Sequence, residues 1–322
     1  MLPILSFVPR HVSVVWGGRA FASLLGRELP DDGPFGESWE ICDLPEFDSP
    51  VADGPLAGTT LSQLVLRHGA DLLGAVSPLD GRFPLLFKFI DARDTLSVQV
   101  HPDRDACLRL GADARPKTEA WFIIDCAPGA FLYAGLRQGG TAASFARAID
   151  EGNVEPLLHR VDVAPGDFIF LPAGTVHAIG AGIVLAEVQQ TSATTYRVFD
   201  WNRPGLDGRP RPLHVEQAMQ AIHFNEWGRP PMKVPRSGRP GVQCDDFEME
   251  YLVLQGGNTV RISEKGPVVV MGIAGAFALR AGDERRRLPR GDTLMVPACR
   301  GDDVQLIAEE SAACLVVRFR EE

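Results

Sequence analysis

The chain has few cysteines, and they lack the spacing that would give them a shared role. Six cysteines occur among 322 residues and no two of them form a C-x-x-C pair; they stand at positions 42, 107, 126, 244, 299 and 314. Disulfide frameworks and cysteine-bound zinc sites both need characteristic, closely spaced cysteines. The sequence therefore predicts reduced thiols in a cytosolic protein, with neither disulfides nor a cysteine metal site.

Long apolar runs are also missing. A helix that crosses a bilayer needs about 18 or more consecutive apolar residues, and no segment of the chain approaches that length. The first residues, MLPILSFVPR, contain Pro3 and lack both a basic leader and an apolar stretch of the length found in secretory signals. We therefore expect a cytoplasmic protein that neither spans a membrane nor carries a Sec-type signal.

Positive charge is scarce relative to negative charge. The 32 Lys and Arg residues are outnumbered by 42 Asp and Glu residues, which gives a formal net charge of −10. Nucleic acids and anionic membranes attract a basic surface, so neither is an expected partner. If the substrate is itself an anion, basic side chains must be concentrated at one place in the fold.

Glycine and proline, in contrast, are abundant and spread through the chain, with 33 and 25 residues. This distribution favours many short strands joined by turns over long helices. Helical spacing of apolar residues occurs only in short segments, at 59–73, 142–149 and 213–224. We predict an all-β dominated fold with a few short helices.

The segment 228–241, GRPPMKVPRSGRPG, divides the chain. It is rich in proline and basic residues and has almost no apolar periodicity, which is typical of a linker. A boundary there predicts an N-terminal catalytic domain at 1–235 and a C-terminal domain at 236–322. The C-terminal part contains several short strand-like runs and almost no helix, which indicates an all-β module.

A weak internal repeat links the two parts. The motif G-D-x4-P occurs at 166–172 and again at 291–297. The first copy continues to His177, whereas no histidine follows the second. Two similar β-barrels, of which only the first keeps its chemistry, would explain this pattern, so we expect the last domain to be structural. The alternative is a separate ligand site that uses Arg300 and Asp302.

The stretch 94–103, DTLSVQVHPD, carries the strongest functional signal. Its pattern is typical of a β-strand, in which side chains alternate between two faces. One face is apolar, which indicates a buried sheet, whereas the other presents Ser97, Gln99 and His101. We expect something polar, either a ligand or a metal ion, to lie against this face.

Other chemically active side chains alternate with, or interrupt, apolar runs in the first 203 residues. A charged group in a buried strand must be paired or must reach a cavity. Strand alternation allows these side chains to face the same interior. The set consists of Lys88, Lys117, Glu119, His177, which follows a Pro-Gly turn, Glu187 and Arg197.

Four of the polar residues in these strand-like segments form a candidate metal-binding set. Gln99, His101, Glu119 and His177 offer an amide oxygen, two imidazoles and a carboxylate. That mixture suits Zn²⁺, with Mn²⁺, Fe²⁺ or Co²⁺ as alternatives, and a further position would admit water or substrate. The Q-x-H spacing supplies two ligands from one face of a single strand, so we predict one metal ion per chain.

The basic residues indicate an anionic substrate. Lys88, Lys117 and Arg197 share the polar faces with Ser97. Ammonium, guanidinium and hydroxyl groups can all donate hydrogen bonds to a phosphate. A metal beside a phosphate site suggests a small phosphorylated metabolite, whose oxygens the metal would polarise as they become negative in the transition state.

Several segments together resemble a known family. The arrangement G-x5-P-x-G-x2-H at 166–177 resembles the second motif of the cupins, and the Q-x-H with a later Glu resembles a variant of their first motif. The larger set is similar to the type I phosphomannose isomerases in their short form, which lacks an inserted helical domain. That set comprises GESWE, LLFKFIDARDTLSVQVHPD, KTEAWFII, LPAGTVHAI and TTYRVFDWNR.

The resemblance implies a fold, an activity and a set of roles. It implies two cupin (jelly-roll) β-barrel domains and a metal-dependent interconversion of mannose 6-phosphate and fructose 6-phosphate through a cis-enediol. It also implies Zn²⁺ on the four predicted ligands, Ser97, Lys88 and Lys117 near the substrate and its phosphate, and Arg197 as a catalytic residue. The absence of a histidine after Pro297 puts a second metal in doubt.

The residues leave several points open. The group that moves the proton could be Glu187, Lys117, a metal-bound water or Arg197, although arginine stays protonated and so favours an electrostatic role.

The chain could also isomerise free or differently phosphorylated sugars, or bind a sugar phosphate without turnover. Trp16 and Trp39 either pack under loops or line a ligand cleft. A monomer and a homodimer are both compatible with the sequence.

Overall fold

The computed structural model describes residues 1–111, 113–225, 241–262 and 264–320. The predicted linker at 228–241 lies almost wholly outside the described residues, and so does the predicted boundary between residues 235 and 236. Within the described residues, short antiparallel strands dominate and helices are few. The prediction of an all-β dominated fold is therefore confirmed.

The first 225 residues contain fourteen described strands and all five described α-helices. Helices Leu61–Leu73, Ala142–Asp150 and Val215–Ala221 overlap the predicted helical segments at 59–73, 142–149 and 213–224. In chain order the elements are β1 (Leu5–Ser6), β2 (Arg10–Gly18), α1 (Ala20–Ser23), β3 (Phe35–Ile41), β4 (Asp43–Leu44), β5 (Phe47–Asp48), α2 (Leu61–Leu73), β6 (Leu85–Ala92), β7 (Val98–Val100), α3 (Arg104–Leu110), β8 (Glu119–Cys126), β9 (Phe131–Leu136), α4 (Ala142–Asp150), β10 (Leu158–Asp162), β11 (Phe168–Leu171), β12 (His177–Ile179), β13 (Ile183–Gln190), β14 (Tyr196–Phe199) and α5 (Val215–Ala221).

The remaining described residues form strands and one 3-10 turn at Ala298–Asp303. The strands are β15 (Gly241–Gln243), β16 (Phe247–Leu254), β17 (Thr259–Arg261), β18 (Val268–Ala274), β19 (Ala276–Ala281), β20 (Glu284–Pro289), β21 (Thr293–Val296), β22 (Val304–Ala308) and β23 (Ala312–Phe319).

Four larger sheets carry the fold. The outer N-terminal sheet has the order β10-β9-β12-β7-β14, and the inner N-terminal sheet has the order β11-β8-β13-β6-β3-β2. The inner C-terminal sheet has the order β1-β21-β18-β23-β16-β15, and the outer C-terminal sheet has the order β17-β22-β19-β20. Strand β1 thus lies at the start of the chain but joins a sheet built from the C-terminal residues.

The apolar side chains show how these sheets are layered. Ile90 and Trp121 of the inner N-terminal sheet pack with Leu132 and Ile179 of the outer one. The opposite face of the outer sheet is covered by helices α3, α4 and α5, whose buried side chains include Phe145. Burial on both faces explains why every residue of β6, LLFKFIDA, is buried.

The two inner sheets share one core. Phe87 and Phe122 of the N-terminal part lie in the same buried cluster as Met271 and Phe319 of the C-terminal part. The ring of Phe319 lies 5.3 Å from the ring of Phe83. A second buried cluster fills the space between the two C-terminal sheets. The described chain is therefore a stack of four sheets, with an apolar core between each pair of neighbours.

In the C-terminal part, Arg300 of the alternative ligand site makes contacts that hold the fold together. Arg300 donates hydrogen bonds to the carbonyl oxygens of Leu2 and Ala281 and lies 3.3 Å from Glu284. Its guanidinium therefore ties the start of the chain to the C-terminal sheets. Asp302 belongs to the 3-10 turn.

All six cysteines are free thiols, and no described helix is long and apolar enough to cross a membrane.

Candidate metal centre

Strand β7 of the outer N-terminal sheet and its two neighbouring strands bring three polar side chains to one face. In β7, Val98 and Val100 pack into the helix-covered cluster on the outer face, so the alternating residue Gln99 points to the inner face. Its neighbours across the strands are His177 on β12 and Arg197 on β14. Since directly opposite residues share a face of a sheet, these three side chains line the interior together.

Glu119 reaches the same space from the inner N-terminal sheet. It is the first residue of β8 and is 1% exposed. Its Oε2 lies 3.3 Å from Nε2 of His101, and its Oε1 lies 3.3 Å from Nε2 of His177. The candidate ligand atoms of these three residues all lie within 4.8 Å of one another, and no other group of three His, Cys, Asp or Glu residues does so among the described parts of the chain.

Both imidazoles are oriented by backbone carbonyl groups. Nδ1 of His101 lies 2.9 Å from the carbonyl oxygen of Thr194, and Nδ1 of His177 lies 2.9 Å from that of Thr175. A carbonyl oxygen can only accept, so each Nδ1 carries the proton. The lone pair of each Nε2 then lies on the side of Glu119, which is the tautomer that metal ligation requires; that of His101 accepts from the Lys117 ammonium at 3.0 Å.

The turn that precedes His177 is hydrogen-bonded to the backbone of His101 through Gly174. Gly174 has a φ of +86° and donates its N–H to the carbonyl oxygen of His101 at 2.7 Å. A side chain at Gly174 would have its Cβ 2.6 Å from the ring of His223. The Pro-Gly turn therefore needs glycine both for its backbone conformation and for space, and it holds His177 at the start of β12.

Burial and charge keep the two histidines neutral. Burial, reinforced by the nearby Lys117 ammonium, lowers the pKa of His101 to about 3. Burial also lowers the pKa of His177. Burial alone would raise the pKa of Glu119, but Lys117 and the two imidazoles together hold it well below the usual value. The cluster is therefore an ionised carboxylate beside two neutral imidazoles, which is the protonation state that binds a cation.

The donor set suits a divalent cation such as zinc. Two neutral imidazoles and an ionised carboxylate bring their candidate ligand atoms within 4.8 Å of one another. Both Glu119 oxygens are buried and accept no hydrogen bond of normal geometry from a described residue. Oε2 already has the Lys117 ammonium at 2.8 Å, but the buried Oε1 faces the neutral imidazole of His177, which leaves room for a further cation.

Gln99 lies at the edge of this cluster. Its amide nitrogen is 3.3 Å from Nε2 of His177, and its amide oxygen accepts a hydrogen bond from the Ser97 hydroxyl at 3.4 Å. A rotation of the amide by half a turn would exchange the two atoms and direct the oxygen toward the cluster. Gln99 as the fourth ligand stays a prediction.

Lys117 contacts the cluster directly. Its Nζ lies 2.8 Å from Oε2 of Glu119 and 3.0 Å from Nε2 of His101, and its side chain is 6% exposed. Ser97 and Arg197 form a second contact, in which the Arg197 Nε donates to the Ser97 hydroxyl at 3.2 Å. All of the polar side chains that strand alternation selected in this sheet thus lie beside the candidate ligands.

Lys88 and Glu187 form a neighbouring ion pair on the inner N-terminal sheet. The two residues are directly opposite each other on β6 and β13. Lys88 Nζ lies 3.2 Å from Oε1 of Glu187 and 3.4 Å from Oε2 of Glu37. Burial opposes the charge of Lys88, but the two carboxylates outweigh it and raise its pKa above the usual value.

Sequence reasoning assigned no role to Glu37 and left that of Trp39 open. Both lie on β3, and the Trp39 indole N–H donates to Oε2 of Glu37 at 2.7 Å. The i, i+2 spacing in GESWE places them on one face of a strand, so alternation could have detected the pair. Their contact with Lys88 depends on the pairing of β3 with β6, which no local pattern predicts.

A cavity in the described part of the chain lies beside the cluster rather than within it. It has a volume of about 740 Å³, and its lining includes Thr194, Arg115 and His214 but none of the predicted site residues. Its connection to the cluster is the Thr194 carbonyl that orients His101. Volume alone is a weaker indicator of a site than the convergence of buried polar atoms, so we place the candidate site at Glu119.

Comparisons with known proteins agree with this geometry. Residues 5–119 match the family model for the catalytic domain of type I phosphomannose isomerase. A mannose-6-phosphate isomerase of Streptococcus mutans is 33% identical over 315 residues, which cover 93% of this chain and 96% of the relative. A probable mannose-6-phosphate isomerase of Bacillus subtilis is 41% identical over 224 residues, or 68% of this chain and 69% of the relative.

Solved structures give the same result for the fold. The crystal structure of a mannose 6-phosphate isomerase from Bacillus subtilis superposes with a TM-score of 0.86 at 30% identity and covers 98% of this chain and 100% of the other. A structure titled as a putative mannosephosphate isomerase from Archaeoglobus fulgidus has a TM-score of 0.78 at 23% identity over 99% of each chain, which shows a shared fold. The chain belongs to the mannose-6-phosphate isomerases of the type I phosphomannose isomerase family.

Proposed function

We propose that this isomerase interconverts mannose 6-phosphate and fructose 6-phosphate by moving a proton between C1 and C2 through a cis-enediol. The observation that carries the proposal is the convergence of His101, His177 and Lys117 on the buried Glu119. An enediolate is negatively charged, so the reaction needs a cation and a proton carrier beside the two adjacent carbons. The names of the relatives support the choice of substrate.

We infer that one divalent metal ion, with Zn²⁺ favoured, is held by Gln99, His101, Glu119 and His177. Two neutral imidazoles, one carboxylate and one amide oxygen suit zinc, and Mn²⁺, Fe²⁺ or Co²⁺ are alternatives. When bound, the metal would polarise substrate oxygens that become negative in the reaction. The carbonyl contacts of both Nδ1 atoms support this set, because they fix the ligand atoms without substrate.

Two groups are suited to carry the proton. Glu187 is a buried carboxylate whose Oε2 accepts from the Trp121 indole and whose Oε1 lies 3.2 Å from the Lys88 ammonium, and an ionised carboxylate can take a proton from carbon. Lys117 has its ammonium 2.8 Å from Glu119 and can exchange a proton with a substrate oxygen beside that carboxylate. Arg197 stays protonated, so its catalytic role is to stabilise negative charge. Transfer of the C1–C2 proton by Glu187 and assistance by Lys117 is the assignment that we propose.

The phosphate is assigned to Ser97 and Arg197. The hydroxyl and the guanidinium are in contact at 3.2 Å and can both donate to one phosphate group. Lys88, which the resemblance places near the substrate and its phosphate, lies between two carboxylates. We therefore assign Lys88 to the sugar hydroxyls, where its ammonium can donate while it remains paired.

We infer that the C-terminal part serves the site as support. Every proposed site residue lies between Lys88 and Arg197, and the inner C-terminal sheet packs against the back of the inner N-terminal sheet. The division at residues 235 and 236, with a structural domain at 236–322, remains our proposal.

A direct assay tests this function. Purified protein supplied with Zn²⁺ should convert fructose 6-phosphate to mannose 6-phosphate and should act far less on unphosphorylated fructose, because the latter lacks the group that Ser97 and Arg197 bind. Equal rates on the two sugars would contradict the phosphate assignment. Binding of fructose 6-phosphate without turnover by the zinc-loaded protein would contradict the isomerase mechanism.

A further inference from the structure

The ammonium of Lys88 is shared between two carboxylates on neighbouring strands. Its Nζ lies 3.2 Å from Oε1 of Glu187 on β13 and 3.4 Å from Oε2 of Glu37 on β3. Strand β6, which carries Lys88, lies between these two strands in the inner N-terminal sheet. The Lys88 side chain is only 10% exposed, so both contacts are largely shielded from solvent.

Each carboxylate is held in place by an indole. The Trp39 N–H donates to Oε2 of Glu37 at 2.7 Å, and the Trp121 N–H donates to Oε2 of Glu187 at 2.9 Å. An indole N–H can only donate, so it favours the ionised form of the carboxylate it contacts. Lys88 also lies 5.3 Å from the centre of the Trp39 ring, within the range of a cation–π contact.

The two carboxylates differ in their surroundings. Glu187 is 4% exposed, whereas Glu37 is 21% exposed and lies at the more open side of the ammonium. One ammonium cannot neutralise two carboxylates. If Glu37 lost its charge, Lys88 would pair with Glu187 alone. The ammonium would then stabilise the ionised form of Glu187 more strongly, and this carboxylate would become a weaker base.

We propose that Glu37 is a positioning residue that draws the Lys88 ammonium away from Glu187 and so keeps Glu187 basic enough to take the substrate proton. This inference rests on the proposed function, because it assigns Glu37 to the proton transfer of that reaction. Glu37 acts through Lys88 and needs no contact with the reacting carbons. The other charged or titratable groups near this pair are Lys117, Glu119, the neutral His177 and the Cys42 thiol, and the substitution leaves all four in place.

The test compares steady-state kinetics of the zinc-loaded wild type and Glu37→Gln with fructose 6-phosphate. Glutamine keeps the volume and can still accept from the Trp39 indole, so only the charge is removed. We expect kcat to fall about tenfold or more, which corresponds to about 1.4 kcal/mol in the barrier, with zinc content unchanged. We also expect the acidic limb of the kcat profile to move to lower pH, because Glu187 becomes a weaker base when Lys88 pairs with it alone.

A second variant keeps the inference testable if Glu37→Gln fails to fold. Trp39→Phe removes the indole N–H that holds Glu37 and should lower kcat in the same direction by a smaller factor. Loss of zinc together with activity in either folded variant would indicate a structural role and overturn the inference. An unchanged kcat and pH profile would also overturn it. If the wild type itself does not isomerise the sugar phosphate, the proposed function fails first.

Discussion

At the scale of single residues, Glu119 is the centre of the site. It is the group that both histidines and Lys117 approach, and both of its oxygens are buried. The desolvation of an ionised carboxylate is costly unless a cation compensates it. Lys117 supplies one positive charge, which balances that of the carboxylate, and the proposed metal ion would add further positive charge to the cluster.

Two substitutions on one strand should have different effects. His101→Ala removes a proposed ligand, so we expect zinc content and activity to fall together. Ser97→Ala removes a hydroxyl that contacts Arg197, so we expect weaker substrate binding, seen as a higher KM, with zinc content unchanged. Zinc analysis and kinetics on both variants check this division. If the two variants lose zinc to the same extent, the roles assigned to these residues are wrong.

The low pKa of His101 predicts a pH dependence of stability. The native pKa is about 3, and an unfolded histidine titrates near 6.5. Between these values the unfolded chain binds a proton that the native protein does not, so the free energy of unfolding rises with pH in this window. For metal-free protein we expect this free energy to be highest above pH 6.5 and to fall as the pH decreases toward 3.

Denaturant unfolding of metal-free protein across this window provides the measurement. The matched control is His101→Gln, which has no imidazole to titrate at this position and should show a weaker dependence on pH. Identical slopes for the wild type and this variant would show that His101 does not contribute.

Much of the site could be predicted from single residues, because strand alternation is a local property. Ser97, Gln99 and His101 follow from the period of one strand. Glu37 does not, because its partner lies on a different strand and its importance appears only when β3 pairs with β6. Similarly, the carbonyl group of Thr194 that orients His101 belongs to the backbone, and no residue type reveals it.

At the scale of elements, the turn between β11 and β12 determines where His177 lies. In that turn, the N–H of Gly174 donates a hydrogen bond to the carbonyl oxygen of His101, and the glycine packs against His223. The turn could be expected from the Pro-Gly sequence. Its contact with His223 could not, because that residue follows α5 and is distant in sequence.

A glycine comparison tests this element. Gly174 and Gly166 both have positive φ, +86° and +88°, but a Cβ at Gly166 would meet nothing within 4 Å. Gly166→Ala should therefore cost only the backbone strain, about 1 kcal/mol. Gly174→Ala should cost more and should also reduce zinc content, since it displaces His177. Thermal unfolding and zinc analysis measure both effects, and equal losses in the two variants would count against this role of the turn.

At the scale of the whole molecule, the two inner sheets bury their faces against each other. This contact could not be predicted from the sequence, because a strand buried on both faces has no alternation that identifies its partner sheet. The strand β6 is an example, since only Lys88 and Asp91 interrupt its apolar residues. The pairing of β1 with β21 also cannot be predicted from a local pattern, because the two strands lie at opposite ends of the sequence.

The shared core predicts a single cooperative unfolding transition. Phe319 is 5% exposed and packs against Phe83 and Phe87 of the N-terminal part. Phe319→Ala should destabilise the protein by about 3–5 kcal/mol and should lower the melting temperature of the whole chain. Calorimetry of the metal-free protein checks this. Two separate transitions, of which only one responds to the substitution, would show that the two parts unfold independently.

The most direct test of the metal-dependent isomerase is a paired measurement on Glu119→Gln. This change removes the charge on which the cluster converges and keeps the volume. The matched control is Glu250→Gln, which alters a comparably buried carboxylate, 4% exposed, in the inner C-terminal sheet. We predict that Glu119→Gln loses both zinc and the conversion of fructose 6-phosphate while the control keeps both. A Glu119→Gln protein that retains its zinc and its activity would contradict the proposed site.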